Sequence, residues 1–225
     1  SITTAMVAGV AFVAPAQAAT KDLAIGVTLD IDKLDPHTAT SFSTVRMLGL
    51  TYGSLVEVGP KLDIRSGLAA SWGFNANSTE LRLKLRKNVK FHDGSTFDAE
   101  DVKASINRVL DTKTTAAARA NIATITSVTG SGLSVLIKMS VPNAPILAAL
   151  DGVNMSMLSS DDIAANKIGK TVNGTGPFKF VSWEPGQSVK LEKNATYWKA
   201  PVKLDTVTFR IIPTEASILA ALNAG

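Results

Sequence analysis

Leu81, Leu83 and Leu85 alternate with Arg82, Lys84 and Arg86, a two-residue period that suits a half-buried strand and no helix. Val89 and Phe91 keep that parity after a break at Lys87-Asn88. Asp93-Gly94 then turns the chain. Asp98 stands at a helix N-cap, with Glu100 and Asp101 placing negative charge in the first turn. Val102, Ile106, Val109 and Leu110 follow at helical spacing. Strand, turn and helix are packed into one segment, and a turn and an N-cap explain Asp93 and Asp98.

The chain has 225 residues, 45% hydrophobic and 19% charged, the balance of a folded protein with a core. A net charge of +4, dispersed and without Lys/Arg clusters interleaved with aromatics, argues against a nucleic-acid partner. Residues 1–20 carry no charge. The apolar run from Ala5 to Ala14, then Pro15 and Ala16-Gln17-Ala18, reads as the hydrophobic region and cleavage site of a signal peptide, begun inside its start. The run is short for a membrane span. There is no cysteine, so thiolate chemistry and a lipid-anchored Cys at the cleavage site are both excluded. A soluble periplasmic product is expected.

Downstream, Leu23 to Leu29 reads as a buried strand, and a helix is expected from about Ser41, with Val45, Leu48 and Tyr52 inward. Ile122–Val128 and Leu133–Met139 read as a hairpin turned by Thr129-Gly130-Ser131-Gly132. Ile146–Leu150 suggests a short helix, and Ser160-Asp161-Asp162 is expected to cap another. Phe178–Trp183, Ser188–Lys193 and Val207–Ile212 read as strands, and Thr214 caps a last helix.

Several short motifs carry a resemblance. Leu34-Asp35-Pro36, Gly67-Leu68-Ala69-Ala70-Ser71-Trp72, Leu85-Arg86-Lys87, Phe91-His92-Asp93-Gly94, Asp101-Val102, Gly174-Thr175-Gly176-Pro177-Phe178, Asn194-Ala195-Thr196-Tyr197-Trp198 and Leu222-Asn223-Ala224-Gly225 stand in order along the chain. Together they resemble the family 5 solute-binding proteins of ABC importers, which include oligopeptide, dipeptide and nickel binders. The resemblance implies a mixed α/β (α+β) fold of the class II periplasmic-binding-protein type, with two lobes around a cleft. This chain would hold most of the first lobe and none of the second. Subdomain I is expected at 19–57 and 169–225, with subdomain II, 58–168, inserted in it. The implied function is non-covalent capture of a di- or oligopeptide and its delivery to inner-membrane ABC permease subunits, by a monomer with no cofactor.

Enzyme chemistry finds little to work with. His37 and His92 are the only histidines, and zinc-helix, nucleophile-elbow and phosphate-loop patterns are absent. Two histidines and no cysteine disfavour a bare nickel ion. Asp30, Ile31 and Asp32 follow the first strand directly, where loops line crevices in α/β folds. A carboxylate there can pair with a solute amine or cation. The resemblance implies that they line the cleft floor, and adds Thr175 of the glycine-rich turn to the candidates. Ala104 departs from the family's peptide binders, which often carry an aromatic near this point, and implies a wider or reshaped pocket. Trp72, Trp183 and Trp198 fall in framework motifs and are expected in packing, not as sugar platforms. Two alternatives stay open: a binder of another solute, such as a nickel chelate, opine or oligosaccharide, and an exported hydrolase.

Overall fold

The computed structural model describes residues 20–224; the expected signal peptide, residues 1–18, lies outside them. In chain order the strands and helices are β1 (Asp22–Val27), α1 (Phe42–Leu48), β2 (Val56–Val58), β3 (Ile64–Ser66), β4 (Ala69–Phe74), β5 (Glu80–Leu85), α2 (Ala99–Leu110), β6 (Ile125–Ser131), β7 (Ser134–Met139), α3 (Ile146–Ala149), α4 (Ser160–Ala164), β8 (Phe178–Glu184), β9 (Ser188–Lys193), β10 (Thr206–Ile211) and α5 (Glu215–Ala224).

Two four-stranded sheets organise them. One has the order β1-β10-β9-β8, with β1 parallel to β10 and the rest antiparallel; the other is the antiparallel sheet β4-β5-β7-β6. Because the first strand pairs with the last, the chain leaves this sheet after β1, forms the β2–β3 hairpin and the second sheet, and returns to it at β8. The packing follows this division. One core gathers Ile31, Met47, Leu48, Tyr52, Leu158, Phe178, Leu191 and Phe209, and the other gathers residues from Leu55 to Met157.

The β5–α2 segment folds as its pattern dictates. Leu81, Leu83 and Leu85 are buried and Arg82 and Lys84 exposed. Gly94 takes φ +93°, which only glycine adopts without strain. Asp98 accepts from the Glu100 amide at 2.8 Å, and Asp101 accepts from the Asp98 amide at 2.9 Å, a reciprocal cap. The other Asp101 oxygen accepts from the Ser160 amide at 2.8 Å, fixing α4 to the start of α2. Burial raises the Asp101 pKa against the pull of these bonds.

Four expectations are corrected. β1 is not a buried strand: it is a sheet edge with β10 on one side only, and Leu23 is 42% exposed. The β6 strand begins later than expected, because Ile122 is buried at the end of a 3₁₀ turn, Arg119–Ile122. β6 then runs through Thr129-Gly130-Ser131, leaving Gly132-Leu133 as a two-residue turn with Gly132 at φ +56°. The cap of α4 is Ser159, whose hydroxyl accepts from the Asp162 amide.

Candidate functional site

Past β1 the chain runs as irregular backbone into Asp30-Ile31-Asp32, and the three residues take different roles. The Asp30 carboxylate accepts from the Ile31 amide at 2.7 Å, the Trp183 indole N–H at 3.1 Å and the Gly186 amide at 2.7 Å. It therefore ties the segment after β1 to the end of β8 and the β8–β9 turn. Ile31 is buried in the first core. Asp32 is different: its amide donates to the Thr44 hydroxyl at 3.0 Å, and that hydroxyl donates back to the carboxylate at 2.5 Å. Its second oxygen has only Lys33, at 3.6 Å, and the side chain is 46% exposed. Of the three, Asp32 alone presents a carboxylate with acceptor capacity left for a solute.

Thr175 offers no surface. It is fully buried, its hydroxyl has no partner in the structure, and its carbonyl accepts from the Trp198 indole at 3.0 Å. The glycines beside it explain the burial. A Cβ on Gly174 would stand 2.0 Å from the Thr51 carbonyl oxygen, and one on Gly176 would stand 2.5 Å from the Thr51 carbonyl carbon. The glycine-rich turn thus exists so that two backbones can touch. Ala104 is half-buried on α2, one turn before Arg108, on the helix face that reaches Asp35.

Two histidines lie where the two halves of the chain meet. His92 accepts from the Gly174 amide at Nδ1, 3.3 Å, and donates from Nε2 to the Gly176 carbonyl, 3.1 Å, so the Phe-His-Asp-Gly turn docks on the glycine-rich turn. His37 is fully buried, donates from Nε2 to the Ser156 carbonyl at 2.9 Å, and has an unpartnered Nδ1. Burial pushes both imidazoles down to about 4. Beside His92, Asp93 and Asp162 share Asn173 at 2.9 and 2.7 Å around a polar recess of about 410 Å³.

The tryptophans are in packing. Trp198 has the Arg86 guanidinium 4.8 Å and the Lys199 ammonium 5.0 Å from its ring, so its face is occupied. Trp72 packs on the second core, and Trp183 both packs on the first and holds Asp30. A hollow of about 580 Å³ is an open concavity of the β4–β7 sheet lined by residues including Ser71, Arg82, Lys84 and Ser134, none of them among the sequence candidates. Among the described residues no group of three or more His, Cys, Asp or Glu is placed to hold a metal, and no helix is long and apolar enough to cross a membrane.

What the sequence reading missed is on α1. Leu29 and Phe42 are 67% and 78% exposed. Ser43 and Arg46 line a narrow hollow with Leu29, Asp30 and Ile31. Phe42 and Ser43 stand four and three residues before Arg46, within reach of it along the helix, and that spacing was the available signal.

Comparison with known proteins places this geometry. Residues 63–225 match the model of the bacterial extracellular solute-binding proteins, family 5. The whole chain is 31% identical to the glutathione-binding protein GsiB of Pectobacterium atrosepticum, and covers 43% of it. Among solved structures, the binding protein MoaA of A. tumefaciens in complex with mannopinic acid superposes with a TM-score of 0.86 at 30% identity, over 92% of this chain and 44% of that one. The ABC transporter-associated periplasmic binding protein DppA of Helicobacter pylori, in complex with the peptide STSA, gives 0.82 at 28% identity, over 91% and 45%. The chain spans less than half the length of each of these proteins. With a mixed α/β fold shared by these solute binders and a family match over most of its length, the chain belongs to the family 5 bacterial extracellular solute-binding proteins.

Proposed function

We propose that this chain is the first lobe of the periplasmic solute-binding component of an ABC importer, and that it captures a di- or oligopeptide between two lobes. The exposed, half-satisfied Asp32 carboxylate in the irregular segment after β1 carries this reading: an anion there pairs with a peptide amine. Ile31 and Asp30 build the floor beneath it from inside, while Ala104 leaves room where a larger side chain would narrow the pocket. The core from Leu55 to Met157 serves as the inserted subdomain II. A second lobe, as in the longer relatives, supplies the remaining contacts. The free protein samples open and closed arrangements, and solute bridging both lobes selects the closed one. Closure presents the loaded protein to an inner-membrane permease. No bond in the solute is broken, and the protein acts as a monomer without a cofactor.

An opine is the second solute class that an observation favours, since the mannopinic acid complex superposes closely on this chain. It offers the same chemistry to Asp32, an amine beside carboxylates.

The division of labour between the aspartates is testable in the full-length protein by calorimetry with the peptide Ser-Thr-Ser-Ala. Asp32→Asn keeps an acceptor for the Thr44 hydroxyl and removes the charge; it is expected to lower affinity at least tenfold with little change in melting. Asp30→Asn, by contrast, replaces one charged acceptor with a donor facing the Gly186 amide or the Trp183 indole. It is expected to lower stability by about 1–3 kcal/mol. Unchanged affinity in Asp32→Asn would contradict the assignment.

A further inference from the structure

Arg46 lies on the last turn of α1, exposed, with its side chain beside Leu29, Asp30 and Ile31. The negative end of the helix dipole accounts for a cation there only in part. Asp30 lines the same hollow, but its carboxylate oxygens are turned to the Ile31 and Gly186 amides and the Trp183 indole. Among the described residues, Arg46 forms no ion pair. One turn earlier on the same helix is Phe42, and across the hollow is Leu29, both with most of their apolar surface in water. A guanidinium without an ion-pair partner, with one exposed hydrophobe a helical turn away and another across the hollow, beside the irregular segment that carries Asp30 and leads to Asp32, is a subsite with two chemistries.

We infer that Arg46 is a specificity-determining residue that engages a carboxylate of the solute, while Leu29 and Phe42 pack against an apolar part of it. The assignment rests on the solute-binding reading above and narrows it: the solute is zwitterionic, with its amine toward Asp32 and a carboxylate toward Arg46. The planar guanidinium suits this task because it offers paired donors to a carboxylate, whereas a lysine offers a point charge.

The test uses the full-length protein and two probes, Ser-Thr-Ser-Ala as the free acid and as its C-terminal amide, titrated calorimetrically into wild type, Arg46→Ala and Arg46→Lys. Wild type is expected to prefer the acid at least tenfold. Arg46→Ala is expected to abolish that preference by weakening the acid alone, and Arg46→Lys to restore it in part. An unchanged acid/amide ratio in Arg46→Ala overturns the assignment while leaving the solute-binding reading intact. Equal weakening of both probes also overturns it, because Arg46 would then act through packing or lobe contact. If wild type binds neither probe, the peptide reading falls and this assignment falls with it.

Discussion

Replacing Arg108 by alanine is expected to lower unfolding stability by about 2–4 kcal/mol. The guanidinium donates to both oxygens of Asp35, at 3.1 and 2.6 Å. Their side chains are only 17% and 15% exposed. Asp35 lies in the Leu-Asp-Pro segment and Arg108 near the end of α2, so this one pair joins the segment after β1 to the helix that covers the second sheet. Without Arg108 the carboxylate keeps a single described donor, the His37 amide at 3.0 Å. A buried charge left in that state is the main source of the loss, more than the attraction forgone. Asp35→Ala should therefore destabilise comparably, and the double variant by less than the sum of the two. Urea unfolding of the full-length protein and its three variants measures all of these. A loss below about 0.5 kcal/mol would mark the pair as a solvated one.

The second large effect is acid sensitivity. An unfolded histidine titrates near 6.5, whereas buried His37 and His92 stay neutral in the fold down to about 4. Between those values the unfolded chain binds more protons than the folded one, so stability rises with pH across that window. As the pH falls from about 6.5 to about 4, that stability is lost. Each displacement corresponds to on the order of 3 kcal/mol. The geometry explains why protonation is resisted. His37 Nδ1 has no acceptor to receive a proton, and His92 Nδ1 already accepts from the Gly174 amide. Unfolding free energies at pH 7 and pH 4.5 should differ by several kcal/mol. His37→Gln keeps a donor for the Ser156 carbonyl and should flatten roughly half of the difference. A stability curve flat from pH 7 to 4.5 would contradict the burial of both rings.

These residues also show where sequence reading succeeds. The β5–α2 segment was legible because its signals are local: a period of two, an Asp-Gly turn, a cap, and a period near 3.6. β1 was misjudged because branched residues favour a strand wherever it lies, and their number says nothing about how many neighbours pair with it. Ile122 reads as strand because a buried side chain in a 3₁₀ turn leaves the same apolar mark. The candidate site divides similarly. The place was legible, since Asp30 and Asp32 lie in the segment that leaves the first strand, although that strand ends at Val27 and not at Leu29. Their roles were not, because what separates them comes from far along the chain: Trp183 and Gly186 consume Asp30, and Thr44 takes only part of Asp32. Thr175 looked available in a polar turn, yet its neighbours are glycines that let Thr51 close over it. Arg108 and Asp35, 73 residues apart, carry no local sign of their pairing.

The central claim is that this chain forms one wall of a cleft that holds a small amino-acid-derived solute. Native mass spectrometry of the full-length protein, purified without added ligand and then denatured to release what it carries, tests this directly. The account predicts a bound peptide or opine bearing both an amine and a carboxylate, lost from Asp32→Asn. A released oligosaccharide or metal chelate, or an empty protein that also fails to bind Ser-Thr-Ser-Ala, would contradict it.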